Sequence, residues 1–127
     1  MNSYDNALLY TDDFIARTIA ALKAQGNDYD TALIYVSDHG ESLGEKGLYL
    51  HGMPYSIAPS EQTHVPMVAW FSEGFAQRSR LDTRCLRAAA AKPLSHDNLF
   101  HSILGLLDVA TSVYEQDLDF SAHCRQE

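Results

Sequence analysis

Apolar and polar positions follow two different periods along the chain, and they predict helices and strands in turn. Between residues 4 and 25, Leu8, Ile15, Ile19 and Leu22 fall close to a 3.6-residue repeat, which predicts an amphipathic helix. Ala16, Ala20, Ala21 and Ala24 favour it intrinsically, and Gly26-Asn27 is its expected stop. A polar turn at Asp28-Tyr29-Asp30 leads into the apolar run from Thr31 to Val36, short enough for a buried strand. Val65 to Phe71 predicts a second strand whose pairing begins after Pro66, since proline cannot donate to a ladder. Between residues 75 and 92, Leu81, Cys85, Leu86 and the alanines 88 to 91 predict one short helix closed by Pro93. Ser95 has the character of an N-cap, with Leu99, Phe100, Ile103, Leu104, Leu107 and Ala110 forming one broad apolar face behind it. From Thr111 onward no period is clear, and the segment is either a cover or a frayed end.

Helix followed by strand is half of the unit that builds parallel sheets, so the expected class is α/β with a mostly parallel sheet flanked by helices. Between the two strands lies a segment with Gly40, Gly44, Gly47, Gly52, Pro54 and Pro59, which is loop chemistry. A loop of that length in a compact domain is more often functional than idle. There is no internal repeat and no low-complexity tract.

Composition narrows the function. The chain has 127 residues, 46% of them hydrophobic and 20% charged, enough for one domain with a core. Nine basic against seventeen acidic side chains give a net charge of -8. Nucleic acid is therefore not an expected partner, because a phosphate backbone demands clustered positive charge. Arg78, Arg80, Arg84 and Arg87 form a loose group read as a solvated face. No apolar stretch approaches the ~20 residues of a membrane span, and the first residues lack the basic start and apolar core of a secretion signal. Taken alone, that predicts a soluble cytoplasmic product. Cys85 and Cys124 are too far apart in sequence for a metal-type pair; they either close a disulfide loop or are unrelated thiols.

The chemistry concentrates where the first strand stops. Asp38 and His39 follow the apolar run directly, and Gly40 comes next. Adjacent side chains within a strand point to opposite faces, so these two can meet one ion only if the backbone curls after the strand ends. Gly40 is expected to ease that curl through its conformational freedom. Carboxylate oxygen with imidazole nitrogen suits zinc, and the carboxyl end of a strand is where open α/β sheets place their sites. By themselves two ligands should hold zinc poorly. Asp12 and Asp13 diverge on the first helix and are read as solvated. Glu41 and Glu45 are tempting as additional ligands or acids, His64 is read as support for the second strand's start, and His96 and His101 lack the i, i+4 spacing of a helical metal pair. His123, beside Cys124, is at most a weak chelator.

The run Ser37-Asp38-His39-Gly40-Glu41-Ser42-Leu43-Gly44, continued by Gly47-Leu48-Tyr49-Leu50-His51-Gly52 and Pro54-Tyr55, resembles the lipid A phosphoethanolamine transferases of the alkaline phosphatase and sulfatase superfamily. Further matches are Tyr4-Asp5-Asn6, Tyr10-Thr11-Asp12-Asp13, His64-Val65-Pro66-Met67 and Ser95-His96-Asp97-Asn98-Leu99-Phe100-His101. The resemblance covers nearly the whole chain, but only the C-terminal part of the family's catalytic domain. It implies an alkaline-phosphatase-like sandwich, Asp38 and His39 as zinc ligands, and His51 at the substrate phosphoryl group or a second metal. Glu41 matches the motif without being a ligand and is assigned to turn structure. The resemblance also implies phosphatidylethanolamine and lipid A as substrates of the parent, the periplasmic face of the inner membrane as its location, and a link to polymyxin resistance. Contact with the membrane would come only through N-terminal helices outside this chain. The family's nucleophile is a threonine; none of Thr11, Thr18, Thr31, Thr63, Thr83 or Thr111 lies in its motif, so this chain alone is expected to be inactive. Two alternatives stay open: a sulfatase-like hydrolase fragment, and a non-catalytic chain that binds a metal or a partner.

Overall fold

A computed structural model describes residues 2–126, which divide into two compact units, the first ending in sequence at Phe71 and the second beginning at Ser72. The first unit opens with helix α1 (Asn2–Ala24). Its packed stripe is Thr11, Ile15, Thr18, Ile19 and Leu22, half-buried and laid against strand β1 (Ala32–Val36). Leu8, expected on that stripe, is instead exposed, as are Leu9, Tyr10 and Phe14. Strand β1 pairs with strand β4 (Met67–Phe71), which starts one residue after Pro66 as the missing donor requires.

The α/β character stands, but the pairing is not the expected parallel one: Ala32 lies opposite Phe71 and Val36 opposite Met67, an antiparallel ladder. The connection explains it. A parallel return needs a crossover long enough to carry the chain back along the sheet. Here the chain leaves the carboxyl end of β1 and re-enters beside it, with Ser37 N–H donating to the Pro66 carbonyl at 3.3 Å. Between them lie a second antiparallel pair, β2 (Ser42–Leu43) with β3 (Tyr49–Leu50), joined through a 3-10 turn at Glu45–Gly47, and the one-turn helix α2 (Ser60–Thr63).

In the second unit the single helix expected between residues 75 and 92 is two: α3 (Glu73–Arg78) and α4 (Thr83–Ala89). Each has its own cap. Ser72 Oγ accepts from Phe75 N–H at 3.1 Å, and Asp82 Oδ1 accepts from Arg84 and Cys85 N–H at 2.8 and 3.1 Å. Arg80, with φ at 53°, turns the chain between them. Those amide bonds to Cys85 and Arg84 hold the Asp82 carboxyl below its ordinary range. Arg78, Arg80, Arg84 and Arg87 are exposed, the solvated face the charge pattern suggested.

Helix α5 (Asp97–Leu106) begins one residue later than an N-cap at Ser95 predicts, with His96 at the cap position, although Ser95 Oγ still accepts from Asp97 N–H at 3.2 Å. The face it buries is the unexpected one. Phe100, Ile103 and Leu107 are exposed, while His101, Ser102, Gly105 and Leu106 are buried. The polar stripe packs because it reads the tail's backbone. Asn98 Nδ2 donates to the Leu118 carbonyl at 2.9 Å, His101 Nδ1 accepts from Glu115 N–H at 2.9 Å, and Ser102 Oγ accepts from Phe120 N–H at 2.9 Å. An aperiodic segment carries unpaired amides and carbonyls, and a helix can bury it only by offering them partners.

The tail is therefore a cover, not a frayed end, with short 3-10 turns at Gln116–Leu118 and Ala122–Cys124. Asp119, 2% exposed, accepts from Ser121 N–H and Oγ, from the Tyr114 hydroxyl at 2.7 Å and from Arg125. Burial first, then the Asp119 carboxylate holding its proton, push the Tyr114 hydroxyl above its ordinary range. Arg125 also donates to the Gly105 carbonyl at 2.5 Å, and a Cβ at Gly105 would collide with both members of this ion pair. Cys85 and Cys124 are joined, so the sequence's open alternative closes in favour of the disulfide.

Candidate metal centre

Beyond Val36 the chain turns within three residues. Ser37 Oγ donates to the His39 carbonyl at 2.8 Å, and Asp38 Oδ1 accepts from His39 N–H at 3.0 Å. His39 Nδ1 lies 3.0 Å from the Gly40 carbonyl oxygen. A carbonyl only accepts, so Nδ1 carries the proton, and in the neutral ring the lone pair is on Nε2. That Nε2 lies 3.6 Å from Asp38 Oδ2. Two donors on one tetrahedral zinc, each about 2.0–2.2 Å from it, stand about 3.3–3.6 Å apart. The separation of the pair matches that of two such donors, and both side chains are open to solvent.

His51 comes back to this point across the glycine-rich loop. Leu50 (φ 66°) and Gly52 (φ 95°) both take left-handed backbone around it, a reversal that returns the imidazole toward the strand end. The His51 ring lies against that of His39, with centroids 3.9 Å apart and planes inclined by 31°. Its Nδ1 is 3.2 Å from Glu41 Oε2. Glu41, assigned from the motif to turn structure, instead points into the cluster; Glu45 takes the turn role, its Oε2 accepting from Leu43 N–H at 2.7 Å. The second oxygen of Glu41 is shielded from solvent with no hydrogen-bond partner among the described residues. Donor atoms of His39, Glu41 and His51 all lie within 4.8 Å of one another, and among the described residues no other such triplet exists.

A frame that the sequence did not reveal holds the two ends of the loop. Gln62, buried on α2, donates through Nε2 to the buried Ser42 Oγ at 2.8 Å and accepts through Oε1 from Met53 N–H at 3.3 Å. One side chain therefore ties the residue after Glu41 to the second residue after His51. Gly40 is required for a reason other than conformational freedom: its φ is not left-handed, but a Cβ would run into the Glu61 carbonyl oxygen. Its own N–H donates to the Gln62 carbonyl at 3.0 Å. His64 is exposed and contributes a backbone N–H to close α2 on Ser60, while His101 is spent on the tail.

The sulfatase family profile matches residues 1–109. The chain belongs to the sulfatase family. Among sulfatase-family relatives, the phosphoethanolamine transferase EptA of Salmonella typhimurium is 47% identical over 127 residues, which cover 99% of this chain and 23% of EptA. The phosphatidylethanolamine transferase Mcr-1 of Escherichia coli is 48% identical over 109 residues, 86% of this chain and 19% of Mcr-1. The soluble domain of lipooligosaccharide phosphoethanolamine transferase A from Neisseria meningitidis superimposes with a TM-score of 0.93 at 48% identity, covering 99% of this chain and 38% of that domain. This sulfatase-family chain thus has the α/β fold of that alkaline-phosphatase-like domain and spans about a fifth of the length of the curated relatives named.

Proposed function

We propose that the chain is the C-terminal, metal-binding part of the catalytic domain of a phosphoethanolamine transferase. The whole enzyme moves phosphoethanolamine from phosphatidylethanolamine to lipid A at the periplasmic face of the inner membrane. The observation that carries this reading is the approach of Asp38 Oδ2 and His39 Nε2 to 3.6 Å, at a strand end, in a chain nearly half identical to such transferases. Asp38 and His39 would hold zinc; Gly40, through its carbonyl, keeps the His39 proton on Nδ1 and so reserves Nε2 for the ion. Zinc bound there would acidify the nucleophile and neutralise phosphoryl charge. His51 faces the phosphoryl group, or a second ion beside it, and donates to an oxygen on which charge builds. The threonine that accepts phosphoethanolamine belongs to the rest of the parent, so the 127-residue chain by itself transfers nothing. The disulfide supports an oxidising compartment for it.

The test is a transplant. This chain replaces the corresponding last part of Salmonella EptA in a host lacking that enzyme, and lipid A is examined by mass spectrometry alongside survival in polymyxin. Phosphoethanolamine-bearing lipid A is expected, and Asp38→Ala or His39→Ala should abolish both it and zinc retention in the chimera. A chimera that reaches the membrane folded, binds zinc and leaves lipid A unmodified would defeat the proposal. Release of sulfate from an aryl sulfate by that chimera would favour the hydrolase alternative instead.

A further inference from the structure

We infer that Glu41 is a metal ligand, and that His39, Glu41 and His51 form a three-donor site which this chain owns without help from any other part of a parent enzyme. The site shares His39 with the centre proposed above, but it does not need Asp38.

Three observations converge on it. First, the donor set is two imidazoles and one carboxylate, a combination that zinc uses with its fourth position open. Second, the donors are already gathered: their atoms lie within 4.8 Å of one another, and His51 Nδ1 and Glu41 Oε2 are 3.2 Å apart. Donors on one zinc stand about 3.3–3.6 Å apart, so modest side-chain rotation closes the set. Third, the far oxygen of Glu41 is shielded from solvent and without a hydrogen-bond partner among the described residues. A carboxylate oxygen in that condition is costly unless a proton donor or a cation meets it. Nothing in the turn itself needs Glu41 there, since Glu45 serves the local amide.

His39 itself can serve one ion only. His39 Nδ1 is engaged by the Gly40 carbonyl, leaving Nε2 as its single free lone pair. Either Asp38 or the Glu41–His51 pair completes the coordination at that nitrogen. In the chain alone, three donors against two decide for Glu41 and His51. Gln62 keeps the arrangement in place by tying Ser42 to Met53, so the loop ends that bear Glu41 and His51 cannot drift apart.

The experiment uses the 127-residue chain with its disulfide formed. Zinc is titrated by calorimetry, and cobalt(II) is followed by its visible absorption as a report on coordination geometry. One ion per chain is expected. Glu41→Gln and His51→Ala should each weaken zinc binding at least about tenfold, whereas Asp12→Asn, at an exposed position on α1, should change it less than about threefold. Binding unchanged by Glu41→Gln overturns the inference. Loss with Asp38→Ala but not with Glu41→Gln overturns it too, and leaves the proposed catalytic pair standing. Conversely, loss with Glu41→Gln alongside a transplant that modifies no lipid A would sink the proposed function and not this site. Circular dichroism verifies that the variants fold. Should Glu41→Gln not fold, X-ray absorption of the zinc-loaded wild-type chain decides: two imidazoles support the site, and one overturns it.

Discussion

At the scale of single residues, two backbone positions set the geometry of the candidate centre, for different physical reasons. Gly40 is a matter of space, because the Glu61 carbonyl occupies the volume a side chain would need. Gly40→Ala should therefore push α2 away and cost about 1–3 kcal/mol by the usual scale of overpacking, measured by urea unfolding, with weaker zinc binding as a companion effect. Leu50 is a matter of conformation: a bulky, exposed side chain sits at φ 66° just before His51. Leu50→Gly should raise stability by about 1 kcal/mol, the scale of the left-handed penalty, seen as a higher melting temperature. Much of this scale was legible. Asp38 and His39 stood out because carboxylate and imidazole after a strand are chemically conspicuous, and His51 stood out only through the motif shared with the transferases. Gln62 and the reach of Glu41 were not, because a buttress is defined by what it touches across twenty residues, and no local spacing encodes that.

At the scale of elements, periodicity located the pieces better than it assigned their faces. The α3–α4 break was written in Asp82, an N-cap signal hidden inside a run of helix formers. Because its backbone bonds depress the Asp82 carboxyl, the cap's contribution is present above the unfolded carboxyl value of 3.8 and is lost as pH falls through the lower folded value. Asp82→Asn keeps an acceptor but cannot titrate, so its unfolding midpoint should fall less between pH 5 and pH 2 than that of the wild type. On α5 the apolar face was legible, but three of its members, Phe100, Ile103 and Leu107, are exposed. Hydrophobicity favours burial only where a partner surface exists, and the partner here is an irregular segment whose needs are polar. Arg125 completes that fit. Arg125→Met leaves the buried Asp119 charge without its counterion and should cost about 3 kcal/mol, read from denaturant unfolding at neutral pH.

At the scale of the whole molecule, the sequence indicated an α/β chain and its place in the family, while the direction of strand pairing escaped it. Pairing direction depends on where a connection ends, which the apolar pattern of β1 and β4 does not record. The surface carries a clearer message. Leu9, Tyr10 and Phe14 on α1 and Phe100, Ile103 and Leu107 on α5 are all more than two-fifths exposed. Apolar faces of this kind mark interaction surfaces or aggregation liabilities, so the isolated chain should self-associate. Light scattering behind a sizing column should report masses above that of one chain, rising with concentration; a monomer at all concentrations would contradict it.

The way α5 grips the tail has an evolutionary corollary. Glu115, Leu118 and Phe120 contribute main-chain atoms to that grip, whereas Asn98, His101 and Ser102 contribute side chains. Main-chain atoms are common to nearly every amino acid. At Glu115, Leu118 and Phe120 the tail can therefore drift in sequence while its path is preserved, and selection against change should fall on the helix that recognises it and on the tail's own anchors, Tyr114, Asp119, Cys124 and Arg125.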